Sequence, residues 1–239
     1  MEQLEKAGEM IHVSDPVNVE WDIGRRLFES REQAVLFENV KNYPGWKVLG
    51  QAPANMRQIG IILDTVPGKV VTELAKRLDK GGGKCTRVQT GPVKERILTG
   101  EEASLDRLPI HVIAEKDPGR YIAGGLCIVK DPETGIRNMA FHRLQIKDGK
   151  KMGIFMVEGR HTWHIYQKYE AMNKPMPFAV VIGHHPMYYF AAAYTGPLGL
   201  DELEIASSLL DEPVEITKCE TIDLEVPAHA EIVLECEIP

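Results

Sequence analysis

Cysteine is scarce and scattered in this chain. The four cysteines, Cys85, Cys127, Cys219 and Cys236, form no CxxC pair, which argues against a zinc knuckle or a dithiol redox motif. Buried free thiols in a reducing compartment are expected instead. No apolar run approaches the roughly 20 residues that a membrane helix needs. The N-terminal stretch MEQLEKAGEMIHV lacks a secretory pattern, so a cytoplasmic location is expected. Basic residues do not cluster and the net charge is −7, which leaves no nucleic-acid footprint. An anionic ligand must then be held by local donors against the overall field. No GxGxxG nicotinamide fingerprint is present. The glycine run Lys80-Gly81-Gly82-Gly83-Lys84 lacks the Walker spacing and the Ser or Thr after the lysine, so a flexible surface linker is expected rather than a phosphate loop.

What is present suits a soluble globular protein of one large or two modest domains: 239 residues, 44% hydrophobic and 26% charged. The first part reads as mixed α/β. A short helix over Met1 to Ala7 is closed by Gly8, and strands are expected at Met10–Val13 and Ala34–Val40. Helix is expected over Val19–Ser30, and over Met56–Leu78 with a break near Pro67-Gly68. After Leu108-Pro109 strands dominate. Tyr121–Val129 and Ile136–Ile146 should form a hairpin about the turn at Asp131-Pro132-Glu133-Thr134-Gly135, followed by a third strand at Met152–Val157. Helices are expected at Arg160–Met172, Pro186–Tyr194 and Leu200–Leu210. Strands are expected at Phe178–Gly183, Val214–Lys218, Leu224–Val226 and Glu231–Ile238.

Four features could carry chemistry. Asn138, His142 and Arg143 crowd one strand; they fit a site or a solvated edge strand equally well. His161 and His164 share a helix face, a weak metal-binding signal that a pair of surface histidines also explains. Arg160 and His161 stand at a helix N-terminus, where anions bind well. Glu202 lies in a first helical turn, where an acid also favours the helix dipole without any further role. His184 and His185 precede a helix start and read as ligands or as turn residues. Met187, Tyr188, Tyr189 and Phe190 could line a pocket or form a buried helix face. Together, one Asn, one His and one Glu suit Mn²⁺ or Mg²⁺ bridging to a phosphate, and Arg143 could hold a carboxylate.

Several segments in order resemble UbiD-family decarboxylases. They are Phe37 to Trp46 (FENVKNYPGW), the N-x4-R strand from Asn138 to Arg143, the turn Ile182-Gly183-His184-His185-Pro186, and Val226 to Glu235 (VPAHAEIVLE). The resemblance implies an α+β fold: an N-terminal α/β domain over residues 1–108, then a split β-barrel related to flavin reductases over 109–239, incomplete at its C-terminus. It implies reversible, non-oxidative decarboxylation of an α,β-unsaturated or aromatic carboxylic acid with prenylated FMN. Asn138, His161 and Glu202 match the ligands of the divalent metal, Mn²⁺ or Mg²⁺, with K⁺ as a frequent companion. Phe141, His142, Arg143, Phe155, Met156, Val157, Arg160 and His161 match flavin-contacting positions, and Arg143 the catalytic arginine. A flavin prenyltransferase of the UbiX type is implied as cofactor supplier, and homo-oligomers through a C-terminal part.

Two consequences accompany the resemblance. The family's EGPFGE stretch, with its catalytic glutamates, would follow Pro239, so a flavin-binding accessory subunit or fragment without its own acid is the alternative function. An ordinary FMN oxidoreductase ranks behind both. Asn138 and Arg143 are also an odd number of positions apart, so a regular strand sends them to opposite faces. Both can reach one ligand only if the strand bends, bulges or lies against the cofactor's end.

Overall fold

The computed structural model describes all 239 residues. They form two compact units, each assembled from separated stretches of chain: residues 1–75, 99–122 and 143–153 in the first, and 76–98, 123–142 and 154–239 in the second. Residues 99–122 return to the first unit, where the Val112 N–H donates to the Val19 carbonyl at 2.8 Å.

The first unit begins with α1 (Glu2–Lys6), β1 (Met10–Val13), α2 (Asp22–Glu29), β2 (Ala34–Phe37), β3 (Val48–Gly50) and α3 (Met56–Ile62). All four residues of β2 are buried, as a central strand covered on both faces requires. It pairs parallel with β1 and antiparallel with β3. Val13, Val17, Ile23, Val35, Phe37 and Val40 form the core beside this sheet. Asn55 caps α3 by accepting from the Arg57 and Gln58 N–H groups. A second small sheet contains β5 (Tyr121–Ile122), β8 (Leu144–Ile146) and β9 (Met152–Ile154), in the order β5-β8-β9.

The second unit holds the remaining strands: β4 (Cys85–Arg87), β6 (Leu126–Lys130), β7 (Arg137–Phe141), β10 (Met176–Ile182), β11 (Val214–Lys218), β12 (Glu225–Pro227) and β13 (Ile232–Ile238). One sheet has the order β13-β10-β6-β7 and the other β12-β11-β4; no sheet closes on itself. Its helices are α5 (His161–Ala171), α6 (Met187–Ala192) and α7 (Glu202–Leu210), while α4 (Val70–Lys80) crosses the unit boundary. The architecture is therefore α+β. No helix is long and apolar enough to cross a membrane.

The expected hairpin forms, with Leu126 opposite Phe141 and Val129 opposite Asn138, but neither strand runs as far as expected. The stretch Tyr121–Val129 breaks at Ala123-Gly124-Gly125, and Ile136–Ile146 breaks at His142-Arg143. β7 and β8 thus belong to different sheets, because the chain changes partner strands at that point. The glycine run is not a free linker either. A Cβ on Gly83 would lie 1.8 Å from the Glu204 carbonyl oxygen of α7, so glycine is required there for close packing.

Candidate functional site

β7 is an edge strand, and an edge strand presents unpaired N–H groups. Here the Met139 N–H donates to one Glu202 carboxylate oxygen at 2.7 Å. The other carboxylate oxygen accepts from the Asn138 side-chain amide at 2.8 Å. Asp201 caps α7 by accepting from the Leu203 N–H at 3.0 Å, which places Glu202 in the first turn against the strand. Asn138 and Glu202 are each only 5% exposed. That excludes the solvated edge strand for Asn138 and a merely dipolar surface role for Glu202.

The contact continues into α5. The Thr162 hydroxyl donates to the Asn138 amide oxygen at 3.1 Å, and lies 3.0 Å from His142 Nε2. His142 Nδ1 faces the Phe155 carbonyl at 3.4 Å. Burial lowers the His142 pKa below its ordinary value, so the ring is neutral near pH 7. Thr162 has one proton, already given to Asn138, so His142 must donate to it from Nε2. Nδ1 then has no proton for Phe155. The row is satisfied from Glu202 to His142 and mismatched at its far end.

Desolvation pushes the Glu202 carboxyl up to about 7, aided by the adjacent Asp201 and opposed by the Met139 N–H and the Asn138 amide. Its hydrogen-bond partners are neutral, and no ion pair involves it. A protonated Glu202 would donate to the Asn138 oxygen after the amide turns over. Asn138 would then donate to Thr162, Thr162 to His142 Nε2, and His142 Nδ1–H to Phe155. One proton at Glu202 therefore reverses the row and removes the mismatch.

The other expected residues are distributed as follows. His161 begins α5, one residue before Thr162, and makes no hydrogen bond to Asn138 or Glu202. Burial lowers its pKa, as do the neighbouring His164 and Arg160. His164 is exposed and lines a separate open groove with Glu133, Gln167 and Met172, so the two histidines do not build a joint site. Arg160 stands at the N-cap of α5 without a side-chain capping bond. Phe155 is 74% exposed and Val157 48%, and Met156 is half-buried. Phe141 stacks on Tyr189 with ring centroids 5.6 Å apart. His184 packs against Tyr188 and Tyr189. Met187 and Tyr188 are buried, as a helix face packed on the core.

Arg143 lies in the first unit, exposed, with its guanidinium 5.7 Å from the Tyr121 ring centroid. Regular strand ends at Phe141, so Arg143 lies outside β7 and the strict alternation of faces does not extend to it. No cluster of three His, Cys, Asp or Glu side chains is arranged to hold a metal, so a cation here would depend on the Asn138 amide as a donor. Thr162 was not singled out from the sequence. Its only signal was a small hydroxyl between two polar helix-start residues and an aromatic.

Comparison with known proteins gives a consistent result. Residues 1–78 match the 3-octaprenyl-4-hydroxybenzoate carboxy-lyase N-terminal domain, and 85–239 the Rift-related domain of the same carboxy-lyases. A pyrrole-2-carboxylic acid decarboxylase of Pseudomonas aeruginosa is 31% identical across 100% of this chain and 51% of its own length. The UbiD-class enzyme HmfF from Pelotomaculum thermopropionicum, in complex with FMN, superimposes with a TM-score of 0.91 at 34% identity, over 99% of this chain and 53% of that one. An evolved dimeric form of HmfF with prFMN gives 0.92 at 35% identity, over 99% and 55%. The chain thus spans about half the length of the relatives it matches.

Proposed function

This chain belongs to the UbiD family of carboxy-lyases, and we propose that it is the flavin-binding part of a decarboxylase for an aromatic or α,β-unsaturated carboxylic acid, using prenylated FMN and a divalent cation. The observation that carries this is the buried Glu202 carboxylate held against Asn138 with neutral partners only. A buried acid without a positive partner is an unfavourable arrangement that a cation relieves. Asn138 and Glu202 offer hard oxygen donors and His161 an imidazole, a set that fits Mn²⁺ or Mg²⁺. The split β-barrel related to flavin reductases, expected over residues 109–239, is part of the same proposal.

The chain's own residues have separable tasks. The uncapped first turn of α5, with Arg160 and His161, suits a phosphate. Phe141, Phe155, Met156 and Val157 offer apolar surface to a flat ring, and His142 is fixed beside them through Thr162. Arg143 would orient the substrate carboxylate through its two-pronged guanidinium. When bound, the prenylated flavin supplies the electron sink for the pair left on carbon as CO₂ departs. The cofactor would come from a UbiX-type flavin prenyltransferase, K⁺ would accompany the site, and the working form would be a homo-oligomer.

Native mass spectrometry of protein co-produced with a flavin prenyltransferase tests this. A bound prenylated FMN with a divalent ion is expected, as is CO₂ release from one member of a panel of aromatic and unsaturated acids. Flavin binding without CO₂ release would favour the accessory-subunit alternative. Protein without flavin would refute both. Glu202→Gln should lose metal and flavin together; full flavin occupancy in a metal-free variant contradicts the ligand assignment.

A further inference from the structure

We propose that Arg137 is a positioning residue that holds Glu202 in place for the cation by gripping Asp201; this rests on the reading of Asn138, His161 and Glu202 as a metal site. Two consecutive residues of β7, Arg137 and Asn138, engage two consecutive residues at the start of α7, Asp201 and Glu202. Successive strand side chains leave opposite faces, so the two ties restrain the helix start from different sides. The Arg137 fork spans two carboxylates: one Nη donates to Asp201 Oδ2 at 2.5 Å, the other to Glu225 Oε2 of β12 at 2.7 Å. Arg137 and Asp201 side chains are each 11% exposed. The guanidinium therefore fastens the first turn of α7 to β7 and to the neighbouring sheet at once.

Asp201 divides its two oxygens between two jobs. Oδ1 caps the Leu203 N–H at 3.0 Å, and Oδ2 receives Arg137. The cap defines where the helix begins, and the ion pair defines where that beginning lies. Glu202 is the next residue and inherits both restraints. It needs them, because a buried carboxylate with neutral partners gains by turning out to water. The cluster also closes electrically. Glu225 pairs with Arg87 at 2.6 Å as well, so two guanidinium groups face two carboxylates. The four groups together therefore add no net charge, although Asp201, the nearest of them, still disfavours an ionised Glu202. A lysine at 137 would supply charge but no fork to span both acids.

The test is FMN titration of the 239-residue chain with Mn²⁺ and, separately, with EDTA. Asp201→Asn is the primary variant, since asparagine still caps a helix but turns an amide towards Arg137. The Mn²⁺-dependent gain in FMN affinity should fall roughly 10- to 100-fold, the usual effect of losing an outer-shell partner, while affinity in EDTA stays within about twofold. Arg137→Lys should behave likewise; if it does not fold, Asp201→Asn decides. An undiminished gain in Asp201→Asn overturns the positioning role. So does an equal loss with and without Mn²⁺, which would mark the pair as general support of the fold. If the unsubstituted chain shows no Mn²⁺-dependent gain, the metal-site reading fails, and this proposal falls with it.

Discussion

Glu202→Gln should change how the stability of the metal-free protein depends on pH. Burial raises the folded-state pKa of Glu202 to about 7 from an ordinary 4.5. Folding therefore favours the protonated acid. Its contribution is fully present below pH 4.5 and is lost as pH rises through 7. A shift of about 2.5 units corresponds to about 3 kcal/mol of stability lost across that window. Glutamine mimics the protonated acid: its oxygen accepts from Met139 and its amide donates to a turned Asn138, in the orientation that satisfies Thr162, His142 and Phe155. The variant should lack that slope. Relative to wild type it should gain about 3 kcal/mol between pH 4.5 and 8. Urea unfolding in EDTA at stepped pH measures this. Trp163 on α5 reports on the second unit once Trp21 and Trp46 are replaced by phenylalanine. Subtracting variant from wild type cancels the other titrating groups. Parallel pH profiles would refute the burial argument, as would a wild type that strengthens relative to the variant as pH rises.

Other outcomes follow from single contacts. Gly83→Ala forces a methyl into the Glu204 carbonyl and should destabilise the second unit by about 3 kcal/mol or more, seen as a lower urea midpoint with an unchanged slope. Arg143→Ala should retain flavin and metal by mass spectrometry yet lose decarboxylation at least about 100-fold; equal turnover removes Arg143 from the reaction. Cys127 is buried with its thiol pushed up to about 12 by desolvation, so thiol reagents should label it only as fast as the protein unfolds.

Much of the fold was legible where one local pattern decides. Val214–Lys218 is a strand to the residue, with Val214 and Ile216 buried on either side of the exposed Glu215. The helix expected over Met56–Leu78 is interrupted ahead of Pro67-Gly68: α3 ends at Ile62, and Pro67 opens the 3-10 turn that leads into α4, a position where its missing donor costs nothing. Reading failed where a distant partner decides. Ile136–Ile146 has strand-forming character throughout, and nothing local announces that Arg137–Phe141 pairs in one sheet and Leu144–Ile146 in another. Gly83 looked like one of three interchangeable glycines; the helix that crowds it lies more than a hundred residues further along the chain.

The same distinction governs the site. Asn138 and Glu202 are 64 residues apart and are grouped from the sequence by donor type and by resemblance, not by spacing, yet they share a hydrogen bond. His161, named with them, makes no hydrogen bond with either. What spacing could not supply is the direction of the bonds between them. An ionised Glu202 fixes the Asn138 amide with its oxygen towards Thr162; a protonated one turns that oxygen towards itself. On the proposed metal reading a cation would favour the ionised carboxylate and use the Asn138 oxygen as a donor; that oxygen has two lone pairs and could keep its bond from Thr162. The cation would then hold the row in its ionised direction, whereas a proton on Glu202 reverses it as far as His142 and the Phe155 carbonyl.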